Sequence, residues 1–314
     1  MAAGAVEVLD LKVGDKAVCV VKAANVLRRD PVSQGVARMR SRVVMLITAL
    51  ALVLAACSSG ATPTPSAPAP SAAQASAAPG GLTIYAAASL KSVLAKVKTS
   101  YEAANPGTTI TISTNSSSAL EAQIEQGAPA DVLLSADTKN PQALVDKGLA
   151  EGGLTKFAGN LLTIIVPVAN PAGIATPADL ARSGVKIIAC GDSVPIAKYA
   201  AQLVANLAGQ AGYPADFVAK YTANVASKED NVAAVVSKIE LGEGDVGIVY
   251  VTDAKTSTKV TPIAVPDGAN VPATYAGVVV KASPNGIAAQ AFLAWLAGPD
   301  GQAILASFGF LPPS

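Results

Sequence analysis

Two hydrophobic rhythms alternate along the chain after residue 81. Short β-rich runs give way to longer stretches with apolar residues three and four apart, which predicts strands alternating with amphipathic helices. Residues 82–86 (LTIYA) read as a strand. Residues 89–104 follow with Leu90, Val93, Leu94, Val97 and Tyr101 at helical spacing, and Gly107 closes that helix. Residues 109–113 (TITIS) read as a strand, 116–126 as a helix and 131–135 (DVLLS) as a strand. A second set begins near Leu161, with strands over 161–168 and 185–189, helices over 196–208 and 232–241, and a buried strand over 245–251. A strand over 275–281 and one or two helices over 287–308 complete the pattern. This order predicts an α/β fold with mostly parallel sheet.

Upstream the rhythm changes. Residues 43–56 (VVMLITALALVLAA) are apolar except for Thr48 and follow Arg38, Arg40 and Arg42. Such a run is short for a membrane span and suits the core of a signal peptide. It ends in Leu54-Ala55-Ala56-Cys57, which resembles a bacterial lipobox. That resemblance implies a lipoprotein signal over 39–56 starting at Met39, and lipidation of Cys57 at the mature N-terminus. An ordinary secretory signal with a chance cysteine is the alternative. Residues 57–81 then form a Ser/Ala/Pro-rich stretch without charge, the composition of a flexible tether. With Cys57 lipidated and Cys19 upstream of cleavage, Cys190 stands alone and no disulfide is expected. Residues 9–26 resemble the second half of a Mop/TOBE domain, a small oxyanion-binding β-barrel. Half a barrel leaves a sheet edge open, so residues 1–38 read as a gene-model extension, an uninformative hydrophobic leader being the alternative.

Composition then narrows the chemistry. The chain has no histidine, which removes Ser–His and Cys–His nucleophile pairs, imidazole metal sites and the usual neutral-pH general base. The net charge of +1 is unevenly spread. Residues 1–56 hold eight Lys/Arg against four acids, and the remainder holds fifteen against eighteen, with Arg182 its one arginine. A mildly acidic body with one arginine does not suit nucleic acid, which needs clustered cations. Serine nucleophiles near lysine remain, as Ser89 with Lys91 or Ser193 with Lys198, but neither pair has the Ser-x-x-Lys spacing. No enzyme activity is expected.

Four strand-to-helix junctions share one chemistry: residues 86–89 (AAAS), 115–118 (NSSS), 193–196 (SVPI) and 229–232 (EDNV). Each puts Ser, Asn or Asp where a helix cap belongs, and Pro195 suits a first helical turn. A helix N-terminus leaves N–H groups unpaired and favours negative charge. In a wound α/β sheet these ends gather at the carboxyl edge of the strands, where ligands bind. Any one junction is an ordinary cap. Their recurrence, beside small residues that admit a ligand to the backbone, points to a neutral, donor-rich pocket for a small anion.

The segments IYAAASL (84–90), NSSSALEAQIEQGAPADVLLSAD (115–137), GDSVPIAKYA (191–200), EDNVAAVVSKIELGEGDVGIVYVTDA (229–254) and GPDGQAILASFGF (298–310) resemble the periplasmic molybdate-binding proteins of ABC importers. The resemblance runs from about residue 82 to the C-terminus. It implies a two-lobed periplasmic-binding-protein fold of type II, with residues 82–162 and 272–314 in lobe I, residues 163–271 in lobe II, and the ligand in the cleft. It also implies that Ser89 and Ser117 offer hydroxyls, that Ile196 and Val232 offer backbone N–H groups, and that Tyr250 offers its phenol. Two departures stand out: the loop before Val194 is short, and Ile196-Ala197 stands where Ala-Gly is common. Ser116 and Ser118 are read as caps or packing, Asp131 and Asp137 as turn braces, and Asp192 and Asp230 as caps or loop braces.

A donor-only pocket accepts molybdate, tungstate or sulfate. Hydrogen phosphate needs an acceptor, which Asp192 or Asp230 would supply if turned inward. Pocket size must separate molybdate from sulfate. The resemblance further implies ABC permease subunits with a cytoplasmic ATPase as partners, no resident cofactor, a monomer, and an extracytoplasmic place on the membrane through lipidated Cys57. The same class with sulfate, thiosulfate or phosphate as ligand is the alternative. An effector domain of a transcription regulator would need a helix-turn-helix where the lipobox and tether stand. Without a group that titrates near neutrality, the site is expected to hold its affinity across mild pH change.

Overall fold

The computed structural model describes residues 80–313. The expected extension, signal peptide, Cys57 and nearly all of the tether lie outside the described residues. Strand β1 (Gly81–Ala87) leads through a 3-10 turn (Ala88–Leu90) into helix α1 (Lys91–Ala104). Strand β2 (Thr109–Asn115) precedes α2 (Ser117–Glu125), and β3 (Val132–Ser135) precedes α3 (Lys139–Asp146). Strand β4 (Ala150–Asn160) closes this set, and Leu161 separates it from β5 (Leu162–Pro167). The second set continues through β6 (Ile187–Cys190), α4 (Pro195–Ala208), α5 (Phe217–Ala223), β7 (Val225–Glu229) and α6 (Val232–Glu240). It ends with β8 (Val246–Tyr250), α7 (Val251–Lys255) and β9 (Val260–Ile263). The chain returns as β10 (Ala273–Val280), followed by α8 (Gly286–Ala297) and α9 (Pro299–Ser307).

Two five-stranded sheets result, ordered β2-β1-β3-β10-β4 and β7-β6-β8-β5-β9, each flanked by helices. The fold is α/β, as the alternating pattern predicts, and two-lobed, as the family resemblance implies. One detail is corrected. Each sheet is mixed, with two parallel and two antiparallel pairings, rather than mostly parallel. The reason is topological: the chain crosses between sheets at Leu161 and again after β9, and the strands flanking these crossings, β4, β5, β9 and β10, make the antiparallel pairs.

Helix α1 buries Val93, Leu94, Val97 and Tyr101, the stripe that its spacing predicts. Tyr101 meets Phe292 and Trp295 of α8 edge-on at 5.1 Å each, so the last helices cover the first sheet. In the second sheet Gly247 sets how closely α6 lies on β8. A Cβ there would stand 2.8 Å from Val235 Cγ1 and 3.2 Å from the Ile188 carbonyl oxygen. This close packing fixes where the N-terminus of α6 points.

The alternating pattern does not reveal β4. Its sequence AEGGLTKFAGN carries three glycines, is exposed at its start and buried on both faces over its last four residues, and its pairing with β10 contains register shifts. Such irregular strands carry little period-two signal. The short elements α3, α5, α7, β7 and β9 likewise emerge only with the fold.

Candidate functional site

Six strand ends converge between the two sheets. From the first sheet come the 3-10 turn after β1, the N-terminus of α2 after β2, and Ala136 just beyond β3. From the second come the N-termini of α4 and α6, after β6 and β7, and Tyr250 at the last position of β8. Together they wall one small cavity. Ser89, Ser117, Ile196, Val232 and Tyr250 all line it, so the structure brings together every residue that the family resemblance implies. Each is buried, from 7% exposed at Ser89 to 1% at Ser117 and Tyr250.

The helix ends leave donors facing inward for local reasons. Ser116 caps α2 by accepting the Ala119 N–H (3.3 Å), and Asn231 caps α6 by accepting the Ala234 N–H (3.1 Å). These caps satisfy one deeper N–H each, while the first N–H of each helix has no earlier carbonyl to meet. Val232 holds that position in α6. In α4, Pro195 brings no N–H and Ala197 donates to the Val194 carbonyl (3.0 Å), so Ile196 is the remaining donor of that turn. Because this contact uses backbone, the isoleucine side chain can turn into the core, where it is 2% exposed.

The hydroxyls are arranged as donors. Ala136 donates its N–H to Ser117 Oγ (3.0 Å), which occupies a lone pair and leaves the Ser117 proton for the cavity. Ser89 Oγ lies 2.9 Å from Tyr275 Oη. Tyr250 Oη has no hydrogen-bond partner, a property that it shares among the described residues with Tyr101 Oη and Thr108 Oγ1. Of these three, only Tyr250 lines the cavity. Burial pushes the Tyr250 phenol well above its ordinary value of 10.0, with Tyr275 and Tyr199 adding to the effect. The phenol therefore keeps its proton throughout the physiological range and can only donate to an anion.

No carboxylate lines the cavity. Asp192 is exposed and pairs with Lys228 Nζ at 2.6 Å, and Asp230 is exposed as well. Asp137 accepts from Ser135 Oγ (2.8 Å) and the Asn140 N–H (3.1 Å), while Asp131 accepts the Thr83 N–H (2.6 Å) and Ser283 Oγ–H (2.5 Å). Both are turn braces. Burial, with help from Asp253 and Glu229, pushes the Cys190 thiol up to about 12, which leaves it neutral. No cluster of potential metal ligands occurs among the described residues.

Three residues behind the cavity were not singled out by the sequence. Tyr275 touches Ser89, and Asn160 donates to Thr252 Oγ1 (2.8 Å) and, at 3.4 Å, to Tyr275 Oη. Asn160 and Tyr275 belong to strands of the first sheet, outside the strand-to-helix junctions, so no cap signal marks them. The third is Asp253, in the first turn of α7, which is 8% exposed and accepts the Tyr250 N–H at 3.2 Å. Desolvation raises its carboxyl from 3.8 to about 7 despite that bond. The sequence expectation of a site without groups that titrate near neutrality does not include this buried acid, which is spaced from Tyr250 by one helical turn and whose ionisation burial shifts upward.

Comparison with known proteins gives the family. Residues 82–311 match the family described as bacterial extracellular solute-binding protein. The chain is 34% identical over 233 residues to the molybdate-binding protein ModA of Mycobacterium tuberculosis H37Rv, covering 74% of this chain and 85% of that protein. Among solved structures, the periplasmic molybdate-binding protein of Azotobacter vinelandii shares the fold with a TM-score of 0.64 at 24% identity, over 74% of this chain and 100% of that one. The sulfate-binding protein SubI of Mycobacterium tuberculosis H37Rv shares it at 0.66 and 23% identity, over 74% and 86%. The chain belongs to the bacterial extracellular solute-binding protein family and, within it, is a relative of the molybdate-binding proteins.

Proposed function

We propose that this protein binds molybdate, and tungstate with it, and delivers the anion to the permease of an ABC importer with a cytoplasmic ATPase. One observation carries the reading: a small pocket without a carboxylate in its lining holds a buried phenol O–H that has no protein partner of its own. A buried donor left unmatched costs about 1–3 kcal/mol, and a fully deprotonated tetrahedral anion would satisfy it. Five donors are aimed at that anion, from Ser89, Ser117, Ile196, Val232 and Tyr250. Sulfate satisfies the same donors and is the second reading, favoured by the shared fold of a sulfate-binding protein. Protonated phosphate does not fit, because Asp192 and Asp230 face outward. We also read the protein as a monomer held at the outer face of the membrane by lipid on Cys57.

Calorimetry of the purified chain with molybdate, tungstate, sulfate and phosphate tests the ligand. Saturable heats are expected for the first two. An isotherm with sulfate or phosphate and none with molybdate or tungstate would sink the assignment. The phenol gives a second check. Tyr250→Phe removes a hydroxyl that no other protein group bonds, so the unliganded variant is expected to melt no lower than the unmodified protein. Its molybdate binding should nevertheless fall by about 1.5–3 kcal/mol, since a hydrogen bond to a charged group is lost. A loss of stability without a loss of affinity would place Tyr250 in the core rather than in the site.

A further inference from the structure

We propose that Tyr275, oriented by Asn160, occupies one lone pair of the Ser89 hydroxyl and so biases Ser89 to present its proton to the pocket. Tyr275 is thereby a specificity-determining positioning residue that disfavours anions still carrying a proton. This rests on the reading of the cavity as an oxyanion site.

The direction follows from three contacts. Asn160 Oδ1 accepts the Leu161 N–H at 3.0 Å, which settles which way the amide faces. Its Nδ2 therefore carries the protons, one given to Thr252 Oγ1 and the other facing Tyr275 Oη at 3.4 Å. An N–H facing Tyr275 Oη cannot accept from it. Ser89 Oγ, at 2.9 Å, is then the acceptor left for the Tyr275 proton. Tyr275 is fully buried, so a proton without an acceptor would be costly, and the acceptor role of Ser89 is enforced. A serine oxygen that accepts from Tyr275 keeps its own proton and one further lone pair, and a fully deprotonated anion in the cavity draws the proton toward itself.

The resulting sequence of donors runs from Asn160 to Tyr275 to Ser89 to the anion, each bond polarising the next. Burial, Asp253 and Tyr199 keep the Tyr275 phenol protonated, so the direction does not reverse with pH. The chain of donors is anchored at the crossover. Asn160 is the last residue of β4, and its other proton goes to α7 beside the second sheet. Ser117 is set the same way by the Ala136 N–H, but through backbone. At Ser89 the device is a side chain, and it can be removed.

Tyr275→Phe keeps the ring and its edge contacts with Phe157, Tyr250 and Phe310. It releases the lone pair of Ser89 that Tyr275 occupies and leaves the hydroxyl freer to accept as well as donate. Molybdate and phosphate are titrated at pH 6.5 into the unmodified chain, Tyr275→Phe, Ser89→Ala and the double variant. The molybdate-to-phosphate affinity ratio is expected to fall at least tenfold in Tyr275→Phe, with molybdate itself weakened roughly 5- to 10-fold. In the Ser89→Ala background, Tyr275→Phe should change molybdate affinity less than twofold, because the two act as one unit. Asn160→Ser should shift the ratio in the same direction, which keeps the test open if Tyr275→Phe folds poorly. An unchanged ratio in both variants, or additive losses in the cycle, overturns the proposal. Failure of the unmodified chain to bind molybdate, tungstate or sulfate would instead remove the oxyanion reading beneath it.

Discussion

Replacing Ser89 and Ser117 together with alanine is expected to weaken molybdate binding by about 2–4 kcal/mol, roughly a 30- to 700-fold rise in Kd. Both hydroxyls are biased as donors before the ligand arrives, Ser117 by the Ala136 N–H and Ser89 by the phenol of Tyr275. Little reorientation is therefore needed on binding, and each contact to a charged oxygen counts near its full strength. Backbone donors from α4 and α6 and the Tyr250 phenol remain, so residual binding is expected. Calorimetry gives the affinity, and the shift in melting temperature with saturating molybdate gives an independent measure through mass action. The unliganded variant will also be somewhat less stable, because Ala136 loses its acceptor and Tyr275 loses its partner. That loss is visible without ligand and separable from the effect on binding. Unchanged affinity would dismiss the two serines as ligands and leave the fold untouched.

The second large effect concerns Asp253 and stability. Its carboxyl is raised from 3.8 to about 7 by burial, with the Tyr250 N–H only partly offsetting the shift. In the unfolded chain it ionises near its ordinary value. The neutral buried acid thus contributes stability that is complete below about pH 4 and is lost as pH rises toward about 7. Asp253→Asn stays neutral throughout and keeps an oxygen for the Tyr250 N–H. At pH 4 the two proteins should unfold at similar denaturant concentrations. By pH 8 the variant should be the more stable, by on the order of 4 kcal/mol, one pKa unit being about 1.4 kcal/mol. The comparison cancels every other group that titrates in both proteins. Binding should follow the same sign: at pH 8 the variant holds molybdate more tightly, since an ionised carboxylate beneath Tyr250 repels a bound dianion. A difference in stability that stays flat from pH 4 to pH 8 would show that Asp253 does not titrate in this range.

The two experiments divide the pocket by depth. The first removes two hydroxyls that line the cavity. The second removes a carboxyl that lies behind it and accepts the Tyr250 N–H. The serines lay open to sequence reading because a cap and a ligand donor occupy the same place at a helix start. Asp253 did not, although its position three residues after Tyr250 is plain in the chain. An acid in a first helical turn is ordinarily exposed and ionised beside the helix dipole. Only the packing of α7 against the second sheet encloses it.

What the sequence determined by itself was everything carried by local rhythm and local chemistry. The apolar spacing of Leu90, Val93, Leu94, Val97 and Tyr101 dictates an amphipathic helix wherever it is placed. The caps at Ser116 and Asn231, and Pro195 in a first turn, dictate where helices start. Gathering those starts at strand ends follows from the general logic of α/β sheets. The tertiary structure decided what depends on residues far apart meeting. Tyr275 lies 186 residues from Ser89, and Asn160 lies 115 from Tyr275. Strand β4 is a strand because β10 pairs with it across register shifts, and β10 arrives only after the chain has built the whole second sheet. Hydrogen-bond direction, burial of a carboxylate and the mixed sense of each sheet are properties of such encounters. Periodicity cannot encode them, since it records only which face of an element is apolar and not which distant residue will cover it.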